Sequence, residues 1–141
     1  MIVLGLDVGD KRIGVAISDA ENILATPLTT IERSSEDAAA LKAIADIIRE
    51  RKVEMVIAGL PYSLNGTIGP QAARTLSFIE VLARNIDVPV ETRDERMSTV
   101  AAQQMLRQSG KNSMQMKGKI DSAAAAYILQ GYLDILRASM Q

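Results

Sequence analysis

Two apolar runs, residues 2–8 and 13–18, open the chain and are separated by the polar tetrapeptide Gly9-Asp-Lys-Arg12. The pattern predicts two antiparallel strands joined by a hairpin turn. In the second run Ile13, Val15 and Ile17 alternate with Gly14, Ala16 and Ser18, giving one bulky face and one close-packed face. A third strand is expected around Ile23–Ile31, after the turn at Asp19-Ala-Glu-Asn22. The period then changes from two to about 3.6. Ser34, with Asp37 three residues later, resembles a capping box, and Leu41, Ile44, Ala45 and Ile48 recur at helical spacing. Val53–Gly59 is a short apolar run, as expected of a buried parallel strand after a crossover helix. The next helix is expected to start at Pro70, with Ala72, Leu76, Ile79 and Ala83 as its inner stripe. Val88–Thr92 predicts a short edge strand, because Pro89 cannot donate to a sheet ladder. Ser98 or Thr99 caps a further helix through about Gln108. Ser109–Lys119 has no periodicity and reads as a mobile loop. The last helix is expected from about Asp121 to Ala138, with Ala125, Ile128, Leu129, Tyr132 and Leu136 on one face.

This order of elements predicts an α/β fold: a mixed five-stranded sheet with helices on both faces and a central first strand. A chain of 141 residues with 48% apolar content is long enough for one well-packed core, and a single domain over 1–141 is expected. In open α/β sheets the site lies beyond the carboxyl ends of the central strands. There Asp7, the Leu60–Gly66 loop and the Arg93–Arg96 turn should converge.

Composition narrows the chemistry. With no cysteine and no histidine, thiolate nucleophiles, Ser-His-Asp triads and imidazole-ligated metals are excluded. Carboxylates, Lys, Tyr and hydroxyls remain. The net charge of −1 advertises no polyanion partner, so nucleic-acid contact would have to come from local clusters of basic residues. No apolar run reaches membrane-spanning length, and a soluble, cytoplasmic protein is expected.

Asp7 stands where a buried strand would ordinarily carry an aliphatic residue, and burying a carboxylate without a cation or donors is costly. Gly5 and Gly9 flank it on the same face, which leaves space for something large to approach. Capping of the following turn is the alternative. Glu95 lies just past the last strand, and Asp121 is in phase with the apolar stripe of its helix, four residues before Ala125 and seven before Ile128. A salt bridge to Arg93 or Arg96 is the plainer role for Glu95, and the positive end of a helix the plainer partner for Asp121. Clustered together, these three acids would repel unless a divalent cation neutralised them, and oxygen-only ligation suits Mg2+ or Mn2+. Two such ions about 4 Å apart can activate water and stabilise the leaving oxygen of a phosphodiester. Lys11, Arg12, Arg93, Arg96, Lys111, Lys117 and Lys119 lie near the same rim and are candidates to track a phosphate backbone. Gly66 to Pro70 adds a glycine-bounded helix N-terminus, a weak phosphate-seat signal.

Four ordered motifs then carry a resemblance over nearly the whole chain: Gly5-Leu-Asp-Val-Gly-Asp-Lys-Arg-Ile-Gly-Val-Ala-Ile-Ser-Asp19; Gly59-Leu-Pro61 with Asn65-Gly-Thr67 and Gly69-Pro-Gln-Ala72; Asp94-Glu-Arg96; and Lys119-Ile-Asp121 with Ala124-Ala125. The sequence resembles the YqgF family of pre-16S rRNA nucleases, RNase H-like proteins related to Holliday junction resolvases of the RuvC type. The resemblance implies an RNase H-like fold and metal-binding or catalytic acids at Asp7, Glu95 and Asp121. It also implies a role in maturing the 5′ end of 16S rRNA. Met97-Ser98 stands where the family usually has Leu-Thr, and Ala101 where an acid is common. The expected partner is nucleic acid, with pre-rRNA favoured and branched DNA as the alternative, and the protein itself a monomer or homodimer. Three other readings compete: a junction resolvase acting on DNA, a non-catalytic RNA-binding or transcription-associated module, and one half of an actin-like or sugar-kinase nucleotide site.

Overall fold

The computed structural model describes residues 1–34, 36–60, 69–94 and 113–139, with 113–119 described by backbone alone. Strands β1 (Val3–Val8), β2 (Arg12–Ser18) and β3 (Ala25–Glu32) form an antiparallel meander. Strands β4 (Met55–Leu60) and β5 (Val90–Asp94) add in parallel on the other side of β1, giving the order β3-β2-β1-β4-β5. The first strand is central, as its apolar run predicts, and β5 lies at the edge, as Pro89 requires. That proline still contributes its carbonyl, which accepts a bond of 2.9 Å from the Val56 amide.

Among the described residues three helices cover the sheet: α1 (Ala38–Arg51), α2 (Pro70–Asn85) and α3 (Ser113–Ser139). Alternation along the strands sorts the core into two layers. Leu4, Leu6, Val8, Ile13, Val15, Val56 and Ala58 face α1 and α2, where Ile44, Phe78, Ile79 and Leu82 close the larger cluster. Val3, Ala16 and Ile57 face the other way and are covered by Ala125, Ile128, Leu129 and Leu133 of α3.

Several local expectations are corrected. Ser34 does not form a capping box: its Oγ donates to the Glu36 carbonyl at 2.7 Å, and Asp37, at the N-cap of α1, makes no side-chain cap bond. The Asp37 carboxylate is drawn instead to Arg33, with Nη2 to Oδ1 at 3.0 Å. The buried stripe of α2 runs through Ala72, Thr75, Phe78, Ile79 and Leu82, with Ala83 outside and Leu76 half-buried, because the bulkiest neighbours set the phase. In α3 Leu133 is fully buried, and Leu136 only half. The largest correction concerns Ser109–Lys119. Helix α3 begins at Ser113, so most of that stretch is helical, and Asp121 lies more than two turns inside the helix rather than in its first turn. The helix expected from Ser98 or Thr99 to Gln108 lies outside the described residues.

Candidate active site

Asp7 and Asp121 are brought together by a glycine. Asp7 on β1 is paired with Gly14 on β2, and a Cβ built on Gly14 would lie 1.8 Å from the Asp121 carbonyl oxygen. Without a side chain there, the α3 backbone seats directly on the sheet beside Asp7. Gly5 admits the same helix further back along β1, where a Cβ would come within 2.8 Å of Leu129 Cβ and 3.0 Å of the Ala125 carbonyl. Gly9 closes the hairpin, its amide donating to the Arg12 carbonyl at 2.9 Å. Gly5 and Gly9 therefore serve helix docking and the turn. The space expected beside Asp7 for a large ligand is, at Gly5, filled by α3.

Asp121 is half-buried and accepts a hydrogen bond from Arg12 Nε at 2.8 Å on Oδ2. Arg12 lies two residues before Gly14 and so on the same face, which explains how it reaches over to the helix. The bond and the charge of Asp121 hold the Arg12 guanidinium pKa above its ordinary value. The helix-end role for Asp121 is thus replaced by a cation partner. Asp7, also half-buried, shares this face with Gly14 and, one step past the Leu6–Ala58 pair, with Gly59 on β4. Gly59 is paired with Arg93 on β5, so Asp7, Gly59 and Arg93 form one row across the sheet.

The surrounding turn is braced independently. Arg33 donates from Nη1 to the Gly9 carbonyl at 2.7 Å and stacks over Phe78 with its Cζ 4.8 Å from the ring centroid. Arg74 grips Asp10 through Nε and Nη2, each at 3.1 Å, and this bond lowers the Asp10 pKa. Thr75 Oγ1 donates to the Val8 carbonyl at 3.3 Å. Neither Arg33 nor Arg74 stands out by sequence pattern, since their partners are set by the hairpin's docking on α2.

Of the other expected site residues, Lys11 is exposed on the hairpin and Arg93 is half-buried at the edge of β5. Glu95, Arg96 and Lys111 lie outside the described residues, as do residues 61–68 of the Leu60–Gly66 loop and its glycine-bounded extension. Lys117 and Lys119 fall on the first turns of α3, where only the backbone is described. Among the described residues no group of three acidic side chains is placed to hold a metal; of the three expected acids, Asp7 and Asp121 lie on adjoining backbone segments either side of Gly14.

The family model described as "RuvX: Holliday junction resolvase" matches residues 1–135. A Chloroflexus aggregans protein named "Putative pre-16S rRNA nuclease" is 49% identical over 135 residues, covering 96% of this chain and 94% of its own. A Clostridium kluyveri protein of the same name is 45% identical over 136 residues, covering 95% of this chain and 97% of its own. Among solved structures, Thermus thermophilus RuvC in complex with a Holliday junction substrate superposes with a TM-score of 0.62 at 17% identity, over 99% of this chain and 98% of that one. The Fowlpox virus resolvase in complex with Holliday junction DNA gives 0.59 at 18% identity, over 96% and 99%. These likenesses establish the RNase H-like, resolvase-type fold. Nuclease, the enzyme class expected from the sequence, is the one in the relatives' name.

Proposed function

The chain belongs to the RuvX family, and on that premise we propose that it is a divalent-metal-dependent nuclease hydrolysing phosphodiester bonds in the 5′-end maturation of pre-16S rRNA, in the cytoplasm. The observation that carries this reading is the seating of Asp121 beside Asp7 through Gly14. Two carboxylates on adjoining elements, drawn from opposite ends of the sequence, are an oxygen donor set suited to a hard cation. The site already attracts positive charge, since the Arg12 guanidinium is bound at Asp121 Oδ2.

Asp7, Asp121 and Glu95 are the residues that would hold Mg2+ or Mn2+. The bound ion would supply an activated water and a counter-charge for the leaving oxygen. The chain's own contribution begins with orientation. Gly14 fixes the separation of the two acids, and Arg12 holds the Asp121 carboxylate in one rotamer. Arg12, held beside the two acids, is placed to offer its guanidinium to a phosphate of the substrate, where a guanidinium binds well. Lys11, Arg93, Arg96, Lys111, Lys117 and Lys119 supply the remaining nucleic-acid contacts.

The test is cleavage of matched RNA and DNA substrates by the purified protein, with and without Mg2+ or Mn2+. Metal-dependent RNA cleavage that Asp7→Asn abolishes is expected, with the fold intact or slightly more stable because carboxylate repulsion is relieved. Asp19→Asn, outside the cluster, should cleave normally. Preferential cutting of branched DNA would replace the RNA reading with that of a junction resolvase. No cleavage of either, with RNA binding retained, would make the protein a non-catalytic module.

A further inference from the structure

A cavity of about 330 Å3 opens between β5 and α3, on the face that carries Asp7. Its lining includes Arg93 and Asp94 from the strand and Tyr127, Gly131 and Asp134 from the helix. The three helix residues are spaced i, i+4, i+7 and form one stripe along α3. Gly131 interrupts that stripe. A Cβ built there would lie 3.0 Å from Arg93 Nη2, 3.3 Å from Nε and 3.4 Å from Cζ, so the absence of a side chain lets the guanidinium lie close against the helix. Tyr127 lies one turn before Gly131 on the helix and Asp134 one turn after, both lining the same cavity as Arg93. Half of Tyr127 is exposed, a ring left partly in water. Asp134 is fixed in place through Oδ1, which accepts from Gln130 Nε2 at 3.0 Å and Arg137 Nη2 at 3.4 Å.

We propose that this cavity binds one unpaired nucleobase of the substrate, guanine in preference, stacked on Tyr127. The charges around the cavity are balanced, Asp94 and Asp134 standing with Arg93 and with Arg137, which is bound to Asp134, so the lining does not select an anion. A neutral ring with one acceptor edge and one donor edge fits that balance. Guanine offers O6 and N7 to an arginine and N1–H and N2–H to a carboxylate, whereas adenine presents an amino group where guanine presents O6. Stacking on an exposed aromatic ring is the usual way a single strand is held. The volume lies at the lower end for ligand pockets, about 300–1,000 Å3. Position agrees as well. Arg93 is two strands from Asp7 in the same row, about 10 Å at ordinary strand spacing, a span that neighbouring nucleotides of one strand cross. The inference rests on the nuclease reading for the source of the base. It adds that the substrate is single-stranded beside the cleavage point and moves Arg93 from backbone contact to base edge.

Binding rather than cleavage tests it. Fluorescence anisotropy with labelled oligouridine carrying a single guanine, or adenine at the same place, is measured in EDTA, so no turnover is needed. Wild type should bind the guanine oligomer more tightly than the adenine one. Tyr127→Ala should weaken guanine binding by about tenfold, while Tyr127→Phe keeps it. Asp134→Asn should narrow the difference between the two oligomers, leaving the part that Arg93 supplies. Tyr127 is exposed enough that its removal leaves the fold, which melting of the Ala and Phe variants checks. Equal affinity of wild type for the two oligomers, or of Tyr127→Ala and wild type for the guanine oligomer, overturns the base site, as does failure of wild type to bind either. If the expected differences appear but no substrate is ever cleaved, the nuclease reading fails alone.

Discussion

Replacing Gly14 by alanine tests how closely helix seating and catalysis are joined. The added Cβ would stand 1.8 Å from the Asp121 carbonyl oxygen, 2.2 Å from its carbon and 2.9 Å from the Ser122 amide. All three are backbone atoms, so no side chain can swing aside. To restore ordinary contact at 3.4 Å, α3 must retreat by about 1.6 Å. Overpacking of this kind costs about 1–3 kcal/mol, and a rigid partner puts the loss at the upper end. Reduced freedom of the unfolded chain returns about 0.4–1 kcal/mol, leaving a net loss of about 2 kcal/mol. For a chain of this length that lowers Tm by roughly 6–8 °C. Cleavage should suffer more, because Asp121 moves away from Asp7 with the helix and a misplacement of about 1 Å can cost about a hundredfold in rate. Two other glycines calibrate the argument. Gly5→Ala meets Leu129 Cβ at 2.8 Å and should be milder, while Gly131→Ala meets only the mobile tip of Arg93 at 3.0 Å and should be neutral or stabilising. Chemical denaturation and a cleavage assay on the three variants would establish the order. If Gly14→Ala proves no less stable than Gly5→Ala, or cleaves as fast as wild type, the contact does not govern the site.

Other perturbations have equally definite outcomes. Arg12→Gln removes the cation already bound to Asp121 and should tighten Mg2+ binding by up to about fivefold, the modest gain expected for a part-exposed pair, read from the metal dependence of Tm. Arg33→Ala loses the Gly9 carbonyl, Asp37 and the Phe78 face together and should destabilise by about 2 kcal/mol in denaturant, with Arg33→Lys unable to restore the fork of bonds. The amides of Leu24 and Ile23 hold the Asp19 carboxyl below its ordinary 3.8. Because the depressed group binds fewer protons when folded than when unfolded, its contribution is present above pH 3.8 and fades as pH falls through that value and below. Asp19→Asn should flatten that portion of the acid limb in a pH series of denaturation curves, and an unaltered limb would refute the assignment.

The strands were readable because each physical cause lies in adjacent residues. Alternation of Ile13, Val15 and Ile17 with Gly14, Ala16 and Ser18 states both faces of β2, and Pro89 alone places β5 at an edge. What packs on the small face was not readable, since the contact of Gly14 with Asp121 joins residues more than a hundred positions apart. The start of α3 was missed for another reason. Residues 113–119 carry no apolar stripe, yet Met, Gln and Lys favour helix, so a segment anchored downstream extends through them and through Gly118. Ser34 failed as a cap because Arg33, drawn to Gly9 and Phe78, brings Asp37 into its own ion pair. Asp7 and Asp121 stood out as acids in apolar phase. Arg12 as the partner of Asp121, by contrast, depends on a hairpin docking under a helix that no local signal describes.

Helix α3 does two things at once: it carries Asp121 to Asp7, and it covers Val3, Ala16 and Ile57 on the second face of the sheet. During synthesis the meander and β4 emerge well before it. Until α3 docks, that apolar face has no cover from the other described helices, and the two acids are not yet neighbours. Completion of the core and assembly of the acid pair are therefore a single event. A nascent or truncated chain lacking α3 should therefore be inert in a cleavage assay and, with its sheet bare, prone to capture by chaperones or proteases. Local opening of the same helix in the finished protein would switch activity off before the rest of the fold is lost.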